Sequence, residues 1–433
     1  MSMNRLKLSS LAIQHVLAMY AGAVIVPLIV GGALGLTGEQ LTYLVSIDIL
    51  MCGVATILQV WKNRFFGIGL PVVLGCTFTA VGPMIAIGGQ FGIPAIYGSI
   101  LVSGLFVMLI AGYFGKLIRF FPPVVTGSVV TIIGITLIPV AMNNMAGGEG
   151  AADFGSLSNI GLAFGTLAFI ILLFRFFKGF VRAVAILLGL LGGTVAAAFM
   201  GKVDIAPVME ASWFHMAQPF YFGMPEFHLT AILTMVLVAM VSLVESTGVY
   251  FALSDICEEE IGENDVARGY RAEGAAIVLG ALFNAFPYTT YSQNVGLTQL
   301  SGVKTKNVIY LTGGMLVALG LVPKIGALTT IIPSAVLGGA MVAMFGMVVA
   351  YGIKMLGRVE FNSQENLLIV ACSVGMGMGV TVVPDMFSQL PGSLQILTSN
   401  GIVAGSLTAI LLNIVFNVRK PERSVRVVEQ KAS

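Results

Sequence analysis

Runs of about twenty apolar residues recur along the whole chain, and each is long enough to cross the hydrocarbon core of a bilayer. Residues 10–34 and 122–142, for example, contain no Asp, Glu, Lys or Arg. Within a bilayer every backbone N–H and C=O must find its partner inside the protein, so such runs become helices. Of the 433 residues, 57% are hydrophobic and 10% charged. A soluble domain carries about 25% charged residues, so the chain reads as an integral membrane protein. Fourteen membrane segments are expected, at 10–34, 40–60, 68–88, 94–113, 122–142, 158–175, 181–200, 229–253, 268–284, 287–302, 306–322, 332–353, 364–383 and 399–417.

The loops give these segments an orientation. With the sides numbered alternately from a cytoplasmic N-terminus, twenty of the 22 Lys and Arg fall inside, and only Lys202 and Lys324 fall outside. A single miscounted segment would reverse the bias beyond it, so the positive-inside rule places both termini in the cytoplasm. Arg5 and Lys7 before an apolar run superficially resemble a signal peptide, but that run is too long for an h-region and contains Gln14-His15. It is better read as the first span. The four cysteines, Cys52, Cys76, Cys257 and Cys372, lack metal-ligand or redox spacing and are expected as free thiols.

An internal repeat is present. Gly115-x6-Pro122-x2-Val125-x-Gly127 recurs 211 positions later as Gly326-x6-Pro333-x2-Val336-x-Gly338. The copies adjoin segments five and twelve, an odd number of crossings apart, so the two halves would be inverted relative to each other. Transporters with inverted repeats hold substrate near the midplane, on discontinuous segments. Two such segments occupy matching places. Segment ten, Phe286 to Gly302, has a proline, then Tyr288-Thr289-Thr290-Tyr291, then a short helical tail rich in hydroxyls and amides. Segment three, Gly69 to Pro83, also has a proline, a β-prone run and a short tail. The residues beside proline favour extended backbone, and Tyr and Thr favour a strand. The expected fold is therefore all-α and polytopic: fourteen segments as two inverted sevens, with broken strand–helix segments three and ten at the midplane.

Few ionisable groups lie within the segments, and each costs on the order of 3 kcal/mol or more at the bilayer centre. Glu245 sits among small hydroxyl residues in Val244-Glu245-Ser246-Thr247-Gly248. Its carboxyl could accept hydrogen bonds from a ligand's N–H groups, or serve as a structural group bonded to Ser and Thr. Glu273 is either a solvated boundary residue or a proton-handling group. His15 is either a satisfied core histidine or an imidazole bonded to the broken segments. Asp48 is expected to make a helix-packing hydrogen bond or a gate contact. Gln293 and Asn294 stand where strand becomes helix, and an amide there offers donor and acceptor side by side, as the edge of a heterocycle requires. The helix start adds free N–H donors. No nucleophile–base pair, phosphate-binding glycine loop or metal-ligand cluster is evident, so neither an enzyme nor a nucleic-acid partner is expected.

These residues resemble the nucleobase–ascorbate transporter family. The resemblance rests on Gln293-Asn294-x-Gly296 closing with Ser301-Gly302, on Gln14-His15, on Glu245-Ser246-Thr247-Gly248 and on Thr77-Phe78. It runs over nearly the whole chain. It implies a substrate-binding core (1–113 and 229–322), a gate (114–228 and 323–418) and a cytoplasmic tail (419–433). It also implies a homodimer in the lipid of the bacterial cytoplasmic membrane that imports nucleobases with protons by an elevator-like motion. No cofactor is implied beyond the proton as coupling ion. Carried over by position, Glu245 would bind ring N–H groups, and Gln293 the ring edge. Backbone around Phe78 and Ser292 would complete the cradle, with Phe78 also stacking, while Thr77 would tune which purine is accepted. Glu273 stands where the family has aspartate and would couple to proton movement. His15 and Asn294 would support the site, and Asn400 would act at the gate. Uracil-type members carry Glu at the position of Gln293 and His at that of Val249, so an oxidised purine, xanthine or uric acid, is the expected substrate. A uracil or other nucleobase importer, and an anion transporter or channel of the same architecture, remain as alternatives.

Overall fold

A computed structural model describes residues 5–117, 121–214, 216–391, 395, 398 and 400–418. The expected tail 419–433, together with Arg119 and His215, lies outside the described residues.

The chain is mainly helical. It begins with α1 (Arg5–Ala33) and α2 (Gly38–Val60), followed by a strand β1 (Leu74–Cys76), a 3-10 turn (Phe78–Ala80) and α3 (Val81–Phe91). Next come α4 (Ile93–Leu117), α5 (Pro123–Met145), α6 (Leu157–Phe176), α7 (Phe180–Ala183), α8 (Ala185–Phe199) and α9 (Ala206–Glu210). The second part holds α10 (Leu229–Cys257), α11 (Glu263–Leu282), β2 (Tyr288–Thr290), α12 (Ser292–Ser301), α13 (Lys306–Gly320) and α14 (Pro323–Thr330). It ends with α15 (Ser334–Leu356), α16 (Gln364–Val382) and α17 (Gly401–Asn413). By length and composition, eight of the described helices can cross a membrane, or nine if α13 and α14 count as one bent span.

Local sequence accounts for several boundaries. Thr37 and Gln40 form a reciprocal capping box at the start of α2. Asn400 caps α17, its Oδ1 accepting from the N–H groups of Ile402 and Val403. Pro323 suits the first turn of a helix but cannot continue the preceding one, so the chain turns by 79° between α13 and α14. The separate helix α14 was not foreseen, nor was the division of the expected segment 181–200 into α7 and α8.

Small residues set the helix packing. Gly127 of α5 faces Leu356 of α15, Gly134 faces Phe345 and Val349, and Gly338 faces the backbone of Asn144 and Met145. The residue numbers run in opposite senses, so α5 and α15 lie antiparallel. Two glycine crossings join the other long helices: Gly53 of α2 meets Gly313 of α13, and Gly104 of α4 meets Gly274 of α11. At the first crossing, a Cβ on Gly53 would stand 2.5 Å from the Gly313 carbonyl oxygen. At the second, a Cβ on Gly274 would stand 2.8 Å from the Gly104 carbonyl oxygen. Only glycine lets backbones approach this closely.

At one surface, Lys62 meets Asp265 at 2.8 Å, and Arg268 also binds that carboxylate. Partial burial raises the Asp265 pKa, but Lys62, the Gly262 N–H and Arg268 outweigh it and hold the group below its usual value.

Candidate functional site

The two broken stretches pair with each other. β1 and β2 form an antiparallel two-stranded ribbon in the register Leu74↔Thr290, Gly75↔Thr289 and Cys76↔Tyr288, and all six residues are buried. The ladder continues at both ends, where Thr77 N–H donates to the Pro287 carbonyl at 2.9 Å and Tyr291 N–H to the Val73 carbonyl at 3.0 Å. Gly75 leaves room for the Tyr291 ring, which would lie 2.4 Å from a Cβ there, and Tyr291 Oη donates to the Cys76 carbonyl at 2.9 Å. Backbone groups that a broken helix leaves unpaired are thus satisfied inside the protein.

Side chains fix this ribbon to the surrounding helices. Thr56 Oγ1 of α2 accepts from Leu74 N–H at 3.0 Å. Asp48, fully buried on the same helix, accepts from Phe286 N–H at 2.7 Å, one residue before Pro287. The expected helix-packing role of Asp48 thus becomes more specific, since its partner is the backbone leading into β2. Ser246 of α10 lies 3.3 Å from the hydroxyls of both Thr289 and Thr290. Asn294 Nδ2 donates to the His15 carbonyl at 3.0 Å and lies 3.1 Å from His15 Nδ1, which ties α12 to α1. Asp48→Ala would strand the buried Phe286 N–H, at a cost of about 1–3 kcal/mol, whereas Asp48→Asn keeps an acceptor oxygen. Thermal unfolding of the purified variants should show a clear loss for Ala and a smaller one for Asn.

In front of the ribbon lies a cavity of about 260 Å³. One wall is Phe78, Glu245, Gly248, Val249, Thr289, Thr290, Tyr291, Ser292 and Gln293. Ser246 anchors to β2, which sets the adjacent Glu245 beside the start of α12. Tyr291 provides no side-chain cap for that helix. Among the described residues no hydrogen bond to protein engages the Glu245 carboxyl, the Ser292 hydroxyl or the Gln293 amide, so the wall offers uncommitted acceptors and donors. The facing wall is Val130 of α5 with Met344, Met347, Val348, Tyr351, Lys354 and Met355 of α15, and Arg358 just beyond. Phe78 meets Phe345 edge-on, with ring centroids 5.8 Å apart.

The structure therefore gathers Glu245, Gln293, Phe78 and Ser292 in one cavity and places the other expected residues around it. Thr77 is buried, its hydroxyl accepting from Thr79 N–H and lying 3.3 Å from Ser242 Oγ. Asn400 caps α17 and approaches α3, where a Cβ on Gly82 would stand 2.8 Å from its Nδ2. Glu273 is buried, so the solvated-boundary alternative does not hold, and it accepts from Tyr250 Oη at 2.9 Å. The same phenol is bonded to the amide of Gln59. The α15 wall escaped the sequence reading. Its methionines look like ordinary span residues, and Lys354 and Arg358 like loop charges. Only the packing of α15 on α5 turns them toward the cavity. Among the described residues no group of three His, Cys, Asp or Glu is arranged to hold a metal ion.

Known proteins resemble this chain over most of its length. A family profile, the permease family designated Xan_ur_permease, matches residues 6–386. A xanthine permease of Bacillus subtilis is 68% identical over 431 residues, covering 99% of this chain and 98% of that protein. The uric acid permease PucK of the same organism is 65% identical over 418 residues, covering 96% and 97%. Among solved structures, the transmembrane domain of the cyanobacterial bicarbonate transporter BicA superposes with a TM-score of 0.63 at 16% identity, covering 90% of this chain and 96% of that one. At that identity the likeness concerns the fold alone. The profile match and the full-length relatives establish that the chain belongs to this permease family, the nucleobase–ascorbate transporters, and is an integral membrane permease rather than an enzyme.

Proposed function

We propose that the protein imports an oxidised purine, xanthine or uric acid, across the bacterial cytoplasmic membrane together with protons. The cavity carries this reading, because an uncommitted carboxyl (Glu245) and an uncommitted amide (Gln293) line one wall of a space of about 260 Å³. A flat base with ring N–H donors and carbonyl acceptors complements that pair. Val249, apolar and on the same wall, offers no second imidazole of the kind expected for uracil. The names of the relatives, a xanthine permease and a uric acid permease, point the same way. Three methionines on the facing wall supply an adaptable apolar surface for closely similar bases.

The arrangement of helices suits an elevator-like transport cycle. We assign α1–α4 and α10–α13 to a substrate-binding core, and α5–α8 with α14–α17 to a gate, as two inverted sets of seven segments with both termini cytoplasmic. The packing supports a two-fold relation between the sets. β1 pairs antiparallel with β2, and α5 with α15. The Gly53–Gly313 crossing also has a counterpart in Gly274–Gly104, with the halves exchanged. The cavity lies where core meets gate, so sliding the core against α5 and α15 would carry the substrate across in an elevator-like motion. Glu273 is the proposed proton-coupling group, bonded to Tyr250, which lies one turn from the β2 anchor Ser246, and His15 and Asn294 hold α12 in place. Asn400 would contribute at the seam between gate and core, and the gate would form the homodimer contact.

An anion transporter of the same fold is the principal competing reading. Glu245 in the cavity wall would disfavour a small inorganic anion. Competition by unlabelled xanthine, urate, guanine, hypoxanthine and uracil against labelled xanthine uptake separates the two. Xanthine and urate should compete strongly and uracil weakly. Uptake that responds to bicarbonate or sulfate and ignores every purine would overturn the proposal.

A further inference from the structure

The cavity is chemically two-ended. Its ribbon wall presents Glu245 and Gln293, while Lys354 and Arg358 from the opposite side contribute the only Lys or Arg side chains among its lining residues. Both are exposed, as is Tyr351 one turn earlier on the same helix, so this end of the cavity is its mouth. Three of the protein's lysines are matched by acids: Lys62 with Asp265, Lys202 with Asp153 and Lys304 with Glu258. Lys354 and Arg358 have no ion-pair partner among the described residues. Two unpaired cations at the mouth of a narrow, mostly apolar space create a positive potential that low-dielectric walls concentrate.

We infer that Lys354 and Arg358 form an anion-selecting mouth, which favours the deprotonated, monoanionic form of an oxidised purine over neutral bases of the same shape. This rests on the purine reading of the cavity and adds the charge state of the substrate to it. A carbonyl-rich purine anion spreads its charge over oxygen and nitrogen atoms along one edge. Arg358 can meet such an edge with its planar donor fork, and Lys354 can act as a mobile point charge beside it. The base would then lie with its N–H edge toward Glu245 and Gln293 and its anionic edge toward α15. Because the cations stand on the gate and the acceptors on the core, they meet the substrate together only when the two walls face each other. The mouth therefore acts at capture and release, and its removal should change the preference among substrates rather than eliminate binding.

Equilibrium binding to the purified full-length protein tests this, with urate as the anionic probe and hypoxanthine as the neutral one. Xanthine serves as an internal control, because it passes from neutral to monoanion between mildly acidic and mildly alkaline pH. Lys354→Gln with Arg358→Gln should weaken urate binding by about tenfold or more while leaving hypoxanthine within about twofold. It should also remove any gain in xanthine affinity on raising the pH relative to the unmodified protein. Lys354→Glu with Arg358→Glu should deepen the urate loss further. Equal loss for urate and hypoxanthine, or unchanged urate binding, would overturn the anion-selecting mouth while leaving the purine reading intact. An unmodified protein that binds none of the three bases would overturn both.

Discussion

Replacing Glu245 by Gln should abolish uptake of labelled xanthine and urate while the protein still reaches the membrane. The two side chains have nearly the same shape, so packing in α10 is preserved. The chemistry changes, because one acceptor oxygen becomes an NH2 donor. That donor would face the ring N–H donors of the bound base, and donor would meet donor where an acceptor is required. Sites built to hydrogen-bond a particular group reject a mismatched one by about 10⁴–10⁵-fold, and a fall of at least about 10²-fold in uptake is expected here. Uptake at initial rate, normalised to membrane-inserted protein, gives the readout. Glu245→Asp keeps the acceptors but withdraws them by a methylene, and should retain part of the activity. Unchanged uptake by the Gln variant would remove Glu245 from the binding wall.

Substituting valine for Gly53 or for Gly274 is expected to prevent accumulation of folded protein. At each crossing backbone atoms of the opposing helix stand in the way, among them the Gly313 and Gly104 carbonyl oxygens, and they have no rotamer to adopt. The helices must separate, and overpacking of this kind costs about 1–3 kcal/mol or more. That is a large share of the roughly 5–15 kcal/mol by which native domains are stable. The two sites are far apart in sequence but equivalent under the proposed two-fold relation, so the losses should be similar. Size-exclusion profiles and thermal unfolding of detergent-solubilised protein measure both. Gly314→Ala, where an added Cβ meets nothing within 4 Å, is the control and should behave as the native protein. A well-folded Gly53→Val protein would show that the α2–α13 crossing can relax.

Much of this protein is written in residue order. Apolar runs and positive loops announce an integral membrane protein, because the bilayer accepts few other patterns. The proline-led polar breaks at 69–83 and 286–302 mark themselves, since strand-prone and hydroxyl-rich residues have no place in an ordinary span. Glu245 and Gln293 stand out for the same reason: uncommitted polar groups in an apolar chain are costly, and function is a common ground for retaining them. The sequence could not show that the two breaks pair with each other, residue by residue, across more than two hundred positions. Nor could it show that Asp48 holds the backbone at Phe286, or that Thr77 and Asn400 spend their polar groups on capping helices. Half of the cavity was equally hidden. Met344, Met347, Tyr351, Lys354 and Arg358 read as unremarkable parts of a span and its loop, and they become a cavity wall only through the packing of α15 on α5. Sequence determined which groups the membrane would not tolerate idle, because that cost is local. Tertiary structure alone decided which groups face one another, because that depends on the close approach of helices distant along the chain.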